Sequence, residues 1–196
     1  MKVGFVSFIG RPNAGKSTLV NRVVGTKLAI VSDKPQTTRN RILAVRNYAG
    51  ESPAQVVLVD TPGIHRPLHR MNVRMVDVAI ESIGAVDVVV LVRDSTDGLG
   101  SGDRFVLKSL ASVTVPVILI LNKIDLIAKA RLLPLIDWYR RQREFAAIVP
   151  VSASTGDGMD TAEREIIGQL PDGEPLYPEE FLTDQPERVL AAETVR

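Results

Sequence analysis

The chain has 196 residues, 45% of them hydrophobic and 24% charged, with a net charge of +1. That length supports a full domain with a real core, and the near-neutral balance gives no bulk electrostatic case for a polyanionic partner or an anionic membrane. Cysteine is absent, which excludes disulfides and thiolate metal sites and is compatible with a reducing, cytoplasmic setting. The N-terminus MKVGFVSFIG has the interrupted pattern of a strand running into a glycine loop, unlike a signal peptide. The longest apolar run, VPVILIL, is too short to span a bilayer, so a soluble protein is expected.

Taken in chain order, strands are expected at 3–9, 41–48, 55–59, 87–92, 115–121 and 146–151. Helices are expected at 16–25, 68–83, 102–112, 129–143 and 159–170. Several of the strands are apolar at every position, the pattern of a parallel sheet covered on both faces. The turn-rich connector NYAGESPA (47–54) has no helix, so the strands on either side should form an antiparallel hairpin. The remainder alternates strand and helix, which implies right-handed crossovers and an open, twisted sheet. After Leu170 four prolines and many acidic residues mark an irregular linker over 172–185. Residues 186–196 then read as the start of a helix, with Asp184 as cap and Glu187 three positions on. The expected first domain is 1–171.

GRPNAGKS, Gly10 to Ser17, matches GxxxxGK[ST] between a strand and a helix. Its glycines let backbone N–H groups approach phosphate oxygens, and the helix N-terminus adds its positive end. Lys16 is expected to reach the β- and γ-phosphates of a nucleotide and Ser17 to ligate Mg²⁺. The fold class is therefore read as an α/β P-loop NTPase three-layer sandwich, with a six-stranded, mostly parallel sheet, one antiparallel strand and about five helices. In the polar loop VSDKPQTTRNR (31–41) Thr37 and Thr38 compete as a ligand that closes on Mg²⁺ only while the γ-phosphate is present; Thr38 is favoured. DTPG, Asp60 to Gly63, follows a strand directly, so Asp60 is expected in the Mg²⁺ shell and the Gly63 N–H at the γ-phosphate. A second match to the same pattern, DGLG at 97–100, lies in a glycine-rich loop and is read as a turn. The residue after DTPG is Ile64, which cannot orient a water molecule by hydrogen bonding as a glutamine there would.

NKID, Asn122 to Asp125, follows the buried strand 115–121. A carboxylate at Asp125 can accept from both N1–H and the 2-amino group of guanine, a donor pair that adenine lacks. Asn122 and Lys123 are expected to buttress this loop and the P-loop. In VSAS, after the last strand, Ser152, Ala153 and Ser154 would meet guanine O6, with Ala153 supplying the N–H. His65 and His69 lack a third ligand and are read as exposed, and Trp138 as a helix residue packing on the core. Arg39, Arg41, Arg66, Arg70 and Arg74 are candidates for steering rRNA or a partner or, more simply, a solvated face.

In order and spacing these motifs resemble those of translation-factor-class P-loop GTPases, the Era-like group in particular. GRPNAGKSTLVN, PQTTRNRI, DTPGIHRP, NKIDL, VSASTGDG and the tail LPDGEPLYPEEFLTDQPERVLAAE carry the resemblance along essentially the whole chain. It implies a GTP-binding and GTP-hydrolysing switch with slow turnover, serving small-subunit assembly and rRNA maturation. The nucleotide set so implied is Gly10, Arg11, Pro12, Asn13, Ala14, Gly15, Lys16, Ser17 and Thr18, then Asp60, Thr61, Pro62, Gly63 and Ile64, then Asn122, Lys123, Asp125 and Leu126, with Ser152 to Ser154. Lys16, Thr38, Gly63 and Asn13 would carry the chemistry, and Ser17, Thr38 and Asp60 the metal. Asn13 matches the asparagine that holds K⁺ beside the phosphates in potassium-stimulated relatives; a P-loop capping role is the alternative. The resemblance also implies a KH domain that binds the 3′ end of small-subunit rRNA with a GxxG loop. No GxxG occurs in these residues, and 186–196 would be that domain's first helix, the rest being truncated. A monomer is expected, cytoplasmic or peripheral on the inner face of the cell membrane. The alternative function is a guanine-nucleotide-gated RNA-assembly module in which hydrolysis is incidental.

Overall fold

The structure is a computed structural model describing residues 1–25, 42–50, 52–60 and 86–181, the side chains of Ile42, Leu43 and Asp60 excepted. Six strands form a single sheet: β1 (Lys2–Gly10), β2 (Ile42–Tyr48), β3 (Ala54–Asp60), β4 (Val88–Asp94), β5 (Val117–Asn122) and β6 (Ala147–Pro150). The strand order is β2-β3-β1-β4-β5-β6. Only β2 runs antiparallel, pairing Tyr48 with Ala54 and Ile42 with Asp60 across the hairpin. The helices are α1 (Lys16–Val24), α2 (Ser101–Ser109), α3 (Leu132–Arg140) and α4 (Met159–Gln169). The expected hairpin and mostly parallel sheet are present. Four of the expected helices fall among the described residues; the one expected at 68–83 lies outside them.

Because side chains alternate along a strand, the all-apolar strands feed two cores. Val6, Phe8, Leu58, Val90, Ile118 and Ile120 pack on one face with Leu19 and Val23 of α1 and Ala162 and Ile166 of α4. Ile9, Val59, Val89, Leu91, Leu119 and Leu121 pack on the other with Val106 of α2 and Leu135 and Tyr139 of α3. A fully buried Leu or Ile contributes about 1.5–3 kcal/mol of transfer free energy, so these layers fix which strand ends meet at the sheet edge. Trp138 sits on α3, half-buried against the second core and edge-on to Tyr139 at 4.9 Å.

The helix expected at 102–112 ends at Ser109, and two element starts differ from expectation by two residues or more. The helix expected at 129–143 begins at Leu132, after a 3-10 turn at Lys129–Arg131, and ends at Arg140. Pro134 explains the start: its ring would clash with the carbonyl four residues back, at Ala130, but is tolerated in a first turn. The strand expected from 115 begins at Val117, just past Pro116, which has no N–H to give the ladder.

Residues beyond Leu170 follow the sheet. Lys2 bridges Asp172, and the Gly173 N–H donates to the Met1 carbonyl at 3.0 Å. Gln55 of β3, 1% exposed, accepts from the Leu176 and Tyr177 N–H groups at 2.7 and 3.0 Å. Its amide nitrogen donates to the Tyr177 carbonyl and to Asn47 Oδ1, each at 2.9 Å. Asn47 in turn donates to the Glu179 carbonyl at 3.0 Å. Tyr177 stacks on Phe181 with ring centroids 4.8 Å apart.

Candidate nucleotide site

β1, β3, β4 and β5 are parallel, so their carboxyl ends lie on one edge of the sheet. The order reverses at β1, which sits between β3 and β4. Such a switch point opens a crevice where loops meet a ligand. The loop after β1 is GRPNAGKS. Gly10 and Gly15 have φ of 150 and 91°, and a side chain at either would overlap a neighbour: the Val92 carbonyl at Gly10, the Asn122 amide at Gly15. Asn13 is also left-handed, with φ 61°, a conformation its short polar side chain tolerates. The N-terminus of α1 follows the loop directly and has no side-chain cap. Lys16 is 7% exposed, and its ammonium donates to the carbonyls of Arg11 at 3.0 Å and Gly10 at 3.4 Å. Ser17, 8% exposed, lies in the first turn of α1. Backbone donors, a buried ammonium and an adjacent hydroxyl are a donor set that fits a polyphosphate with a hard cation.

Asn122 joins three loops. Its amide nitrogen donates to the Ala14 carbonyl at 2.9 Å, and its oxygen accepts from the Ala153 N–H at 3.0 Å. The Ala153 amide, expected to meet guanine O6, is thus engaged by Asn122. Ser154 Oγ lies 2.9 Å from Ser152 Oγ and 3.5 Å from Asp125 Oδ2. Asp125 and Leu126 are exposed, so the carboxylate expected to read the base is open to solvent.

Lys123 departs from expectation. Among the described contacts its ammonium bonds Asp94 Oδ2 at 2.5 Å, at the end of β4, and does not reach the P-loop. The sheet register that sets Asp94 beside Asn122 puts this carboxylate within reach. Asp94 also accepts from the Thr96 N–H and hydroxyl, at 2.9 and 2.6 Å. Burial opposes its ionisation, but the hydrogen bonds from Lys123 and Thr96 outweigh that and hold its carboxyl below the usual carboxylate range.

Arg11 has its side chain on the loop after β4. Its guanidinium lies 3.1 Å from Asp97 and 3.8 Å from Asp103. Asp103, 2% exposed, also accepts from the Gly100 N–H at 2.9 Å and the Tyr139 hydroxyl at 2.8 Å, and faces Arg93 Nε at 3.5 Å. Burial, with the Asp103 charge beside it, pushes the Tyr139 hydroxyl well above the ordinary tyrosine range. The DGLG turn therefore anchors a P-loop side chain, a role its sequence pattern does not announce.

Sequence reasoning missed Asp94, Asp97 and Asp103 as site supports, and Arg22, which donates to the carbonyls of Ala153 and Ser154 at 2.9 and 2.6 Å. For Asp94 a signal existed: like Asp60, it closes an apolar strand with a carboxylate. In the described structure Gly10 to Thr18 come together with Asn122 to Leu126 and Ser152 to Ser154. The main chain of Asp60 ends β3 in register with Phe8. Thr37, Thr38, Thr61, Pro62, Gly63 and Ile64 lie outside the described residues, as do His65, His69 and the candidate arginines 39, 41, 66, 70 and 74.

A sequence model of the 50S ribosome-binding GTPases matches residues 5–123, more than half of the chain. The chain belongs to that family. Among similar proteins, GTPase Era of Ruminiclostridium cellulolyticum is 46% identical over 195 residues, covering 100% of this chain and 64% of that protein. GTPase Era of Clostridioides difficile is 49% identical over 196 residues, covering 100% and 65%. The chain thus spans a little under two thirds of these relatives' length. A crystal structure of Era in complex with MgGDPNP and nucleotides 1506–1542 of 16S ribosomal RNA is 43% identical, with a TM-score of 0.91 over 100% of this chain and 66% of that one. The six-stranded fold of this 50S ribosome-binding GTPase relative is accordingly that of an Era G domain. Among the described residues no helix is long and apolar enough to cross a membrane.

Proposed function

We propose that the chain is a GTP-binding and GTP-hydrolysing switch. The observation that carries this is the Asn122 bridge, which locks the phosphate loop, NKID and SAS into one site. Lys16 and the P-loop amides face developing charge on the γ-phosphoryl group during its in-line transfer to water. Ser17, Thr38 and Asp60 would hold Mg²⁺, which supplies charge neutralisation across the β- and γ-phosphates when bound. Asp125 would pair with the guanine edge, with Leu126 beside it in the nucleotide set; Thr61 and Pro62 are assigned to that set, and the Gly63 N–H to the γ-phosphate. Asn13 is assigned to a K⁺ beside the phosphates.

Kinship to the Era proteins supports the wider assignment. Residues 1–171 form the G domain, 172–185 a connector, and 186–196 the first helix of an RNA-binding KH domain. The partner so supported is the 3′ end of small-subunit rRNA, in small-subunit assembly. The same kinship supports a cytoplasmic monomer with any membrane contact peripheral. One feature favours the second reading, a nucleotide-gated RNA module with incidental hydrolysis: Ile64 has no group to orient water.

Displacement of a fluorescent GDP by GTP, ATP and XTP tests the site directly. GTP should compete and ATP should not. Asp125→Asn should lower GTP affinity at least roughly hundredfold, the scale of two hydrogen bonds to a charged group, and favour XTP. Equal competition by ATP, or unchanged GTP binding in Asp125→Asn, removes Asp125 from the base site.

A further inference from the structure

Arg22 stands in the last turn of α1, the helix whose N-terminus follows the phosphate loop. Its side chain leaves that helix and meets the SAS loop, 131 and 132 residues later. Nε donates to the Ala153 carbonyl at 2.9 Å and Nη2 to the Ser154 carbonyl at 2.6 Å. The planar fork of a guanidinium suits two neighbouring acceptors, where an ammonium is a single point charge. Gly156, at φ 94°, turns the chain beside the guanidinium in a conformation that suits glycine.

We propose that Arg22 is a positioning residue for recognition of the base, holding the 153–154 peptide so that its N–H faces guanine O6. The mechanism follows from peptide geometry. In a trans peptide the C=O and the following N–H point in opposite directions. Pinning the Ala153 oxygen to Arg22 therefore turns the Ser154 N–H away from α1. That donor matters because the Ala153 N–H is taken by Asn122. Among the described residues no acceptor takes the Ser154 N–H. The rest of the loop is closed on itself: Thr155 N–H donates to Ser152 Oγ at 3.1 Å, and Gly156 N–H to the Ser152 carbonyl at 2.8 Å. The orientation of the 153–154 peptide rests on the Arg22 side chain, which comes from another element. Arg22 also ties the base loop to the helix that binds phosphate, so that ordering one half of the site favours the other.

This inference rests on the guanine-nucleotide reading, and its test separates the two. Affinities of the 196-residue chain are measured for GDP and for 2-aminopurine riboside diphosphate, which keeps the 2-amino group and lacks O6. The wild type should prefer GDP. Arg22→Ala should lose roughly tenfold in GDP affinity, the scale of one hydrogen bond, with little change for the analogue, so the preference shrinks. Arg22→Lys, which can still reach one carbonyl, should recover part of it. Melting temperatures of the nucleotide-free proteins check folding. If Arg22→Ala weakens both ligands by the same factor, or leaves the ratio unchanged, Arg22 is only a structural brace and the inference is overturned. A wild type that binds neither ligand overturns the site reading itself.

Discussion

Lys123 occupies the left-handed region at φ 64°, ψ 36°, where a non-glycine residue carries about 1–3 kcal/mol of strain. Asp94 offsets that strain, holding the ammonium at 2.5 Å with its own side chain only 12% exposed. Replacement by asparagine keeps the shape and removes the charge. Asp94→Asn should therefore lower GDP affinity by about tenfold at neutral pH, read as faster release of a fluorescent GDP, in line with one charge-assisted bond. The pH dependence has a definite sign. The folded carboxyl titrates below its ordinary value near 3.8, so its stabilisation is complete above that value and is lost as pH falls through the lower, folded one. The melting-temperature gap between wild type and Asp94→Asn should be constant from pH 7 to about pH 5 and close only in acid below the ordinary aspartate range. A gap that closes near neutrality would assign the effect to another group. Motif residues were legible because their chemistry is local: GKS and NKID need only a strand end and a turn. Asp97 and Asp103 were not, because what makes them matter is Arg11, brought to them only by the pairing of β1 with β4.

At the scale of elements, the β2–β3 hairpin joins two ends of the molecule. Thr38 lies before its first strand and Gly63 after its second in sequence, and its turn end carries Asn47 and Gln55. Gln55 spends both donors and both acceptor lone pairs on Asn47 and the 176–177 main chain, so it holds the tail regardless of the tail's side chains. Gln55→Ala should cost about 1–3 kcal/mol, because a buried set of partners is left unpaired. Amide exchange at Leu176 and Tyr177 should rise well above that at Val57 and Val90, which remain in the sheet. If exchange there stays as slow as in the strands, the tail is held by something other than Gln55. The hairpin was legible from its turn residues and missing helix. The docking was not: 172–185 reads as a polar, proline-broken linker, and a lone glutamine in an apolar strand gives no sign of what it will meet. The start of α3 was misread for a subtler reason, since apolar periodicity continues through 129–133 while Pro134 forbids the helix that would carry it.

At the scale of the whole molecule, the sheet presents Gly10, Asp94 and Asn122 on one edge, and phosphate and base loops close over that edge together. On the proposed reading, such a site would bind a nucleotide without fixing how fast it is hydrolysed. The usual source of rate, a polar residue after DTPG, is replaced by Ile64. On the proposed reading the rate is raised from elsewhere, and Asn13, on the P-loop at φ 61°, is the residue assigned to a K⁺ beside the phosphates. An ion there would take the role of an arginine finger, worth about 10³–10⁵ in rate where one acts. GTP turnover should therefore be at least roughly tenfold faster in KCl than in NaCl at equal ionic strength, a modest part of that range. Asn13→Gly should abolish the difference. Glycine is the informative change because it accepts a positive φ without strain, whereas alanine there would disturb the loop as well as remove the amide. GDP affinity and melting temperature, measured alongside, confirm that the P-loop is intact. Equal rates in the two salts would sink the potassium assignment, and a potassium effect that survives in Asn13→Gly would move the ion to other ligands.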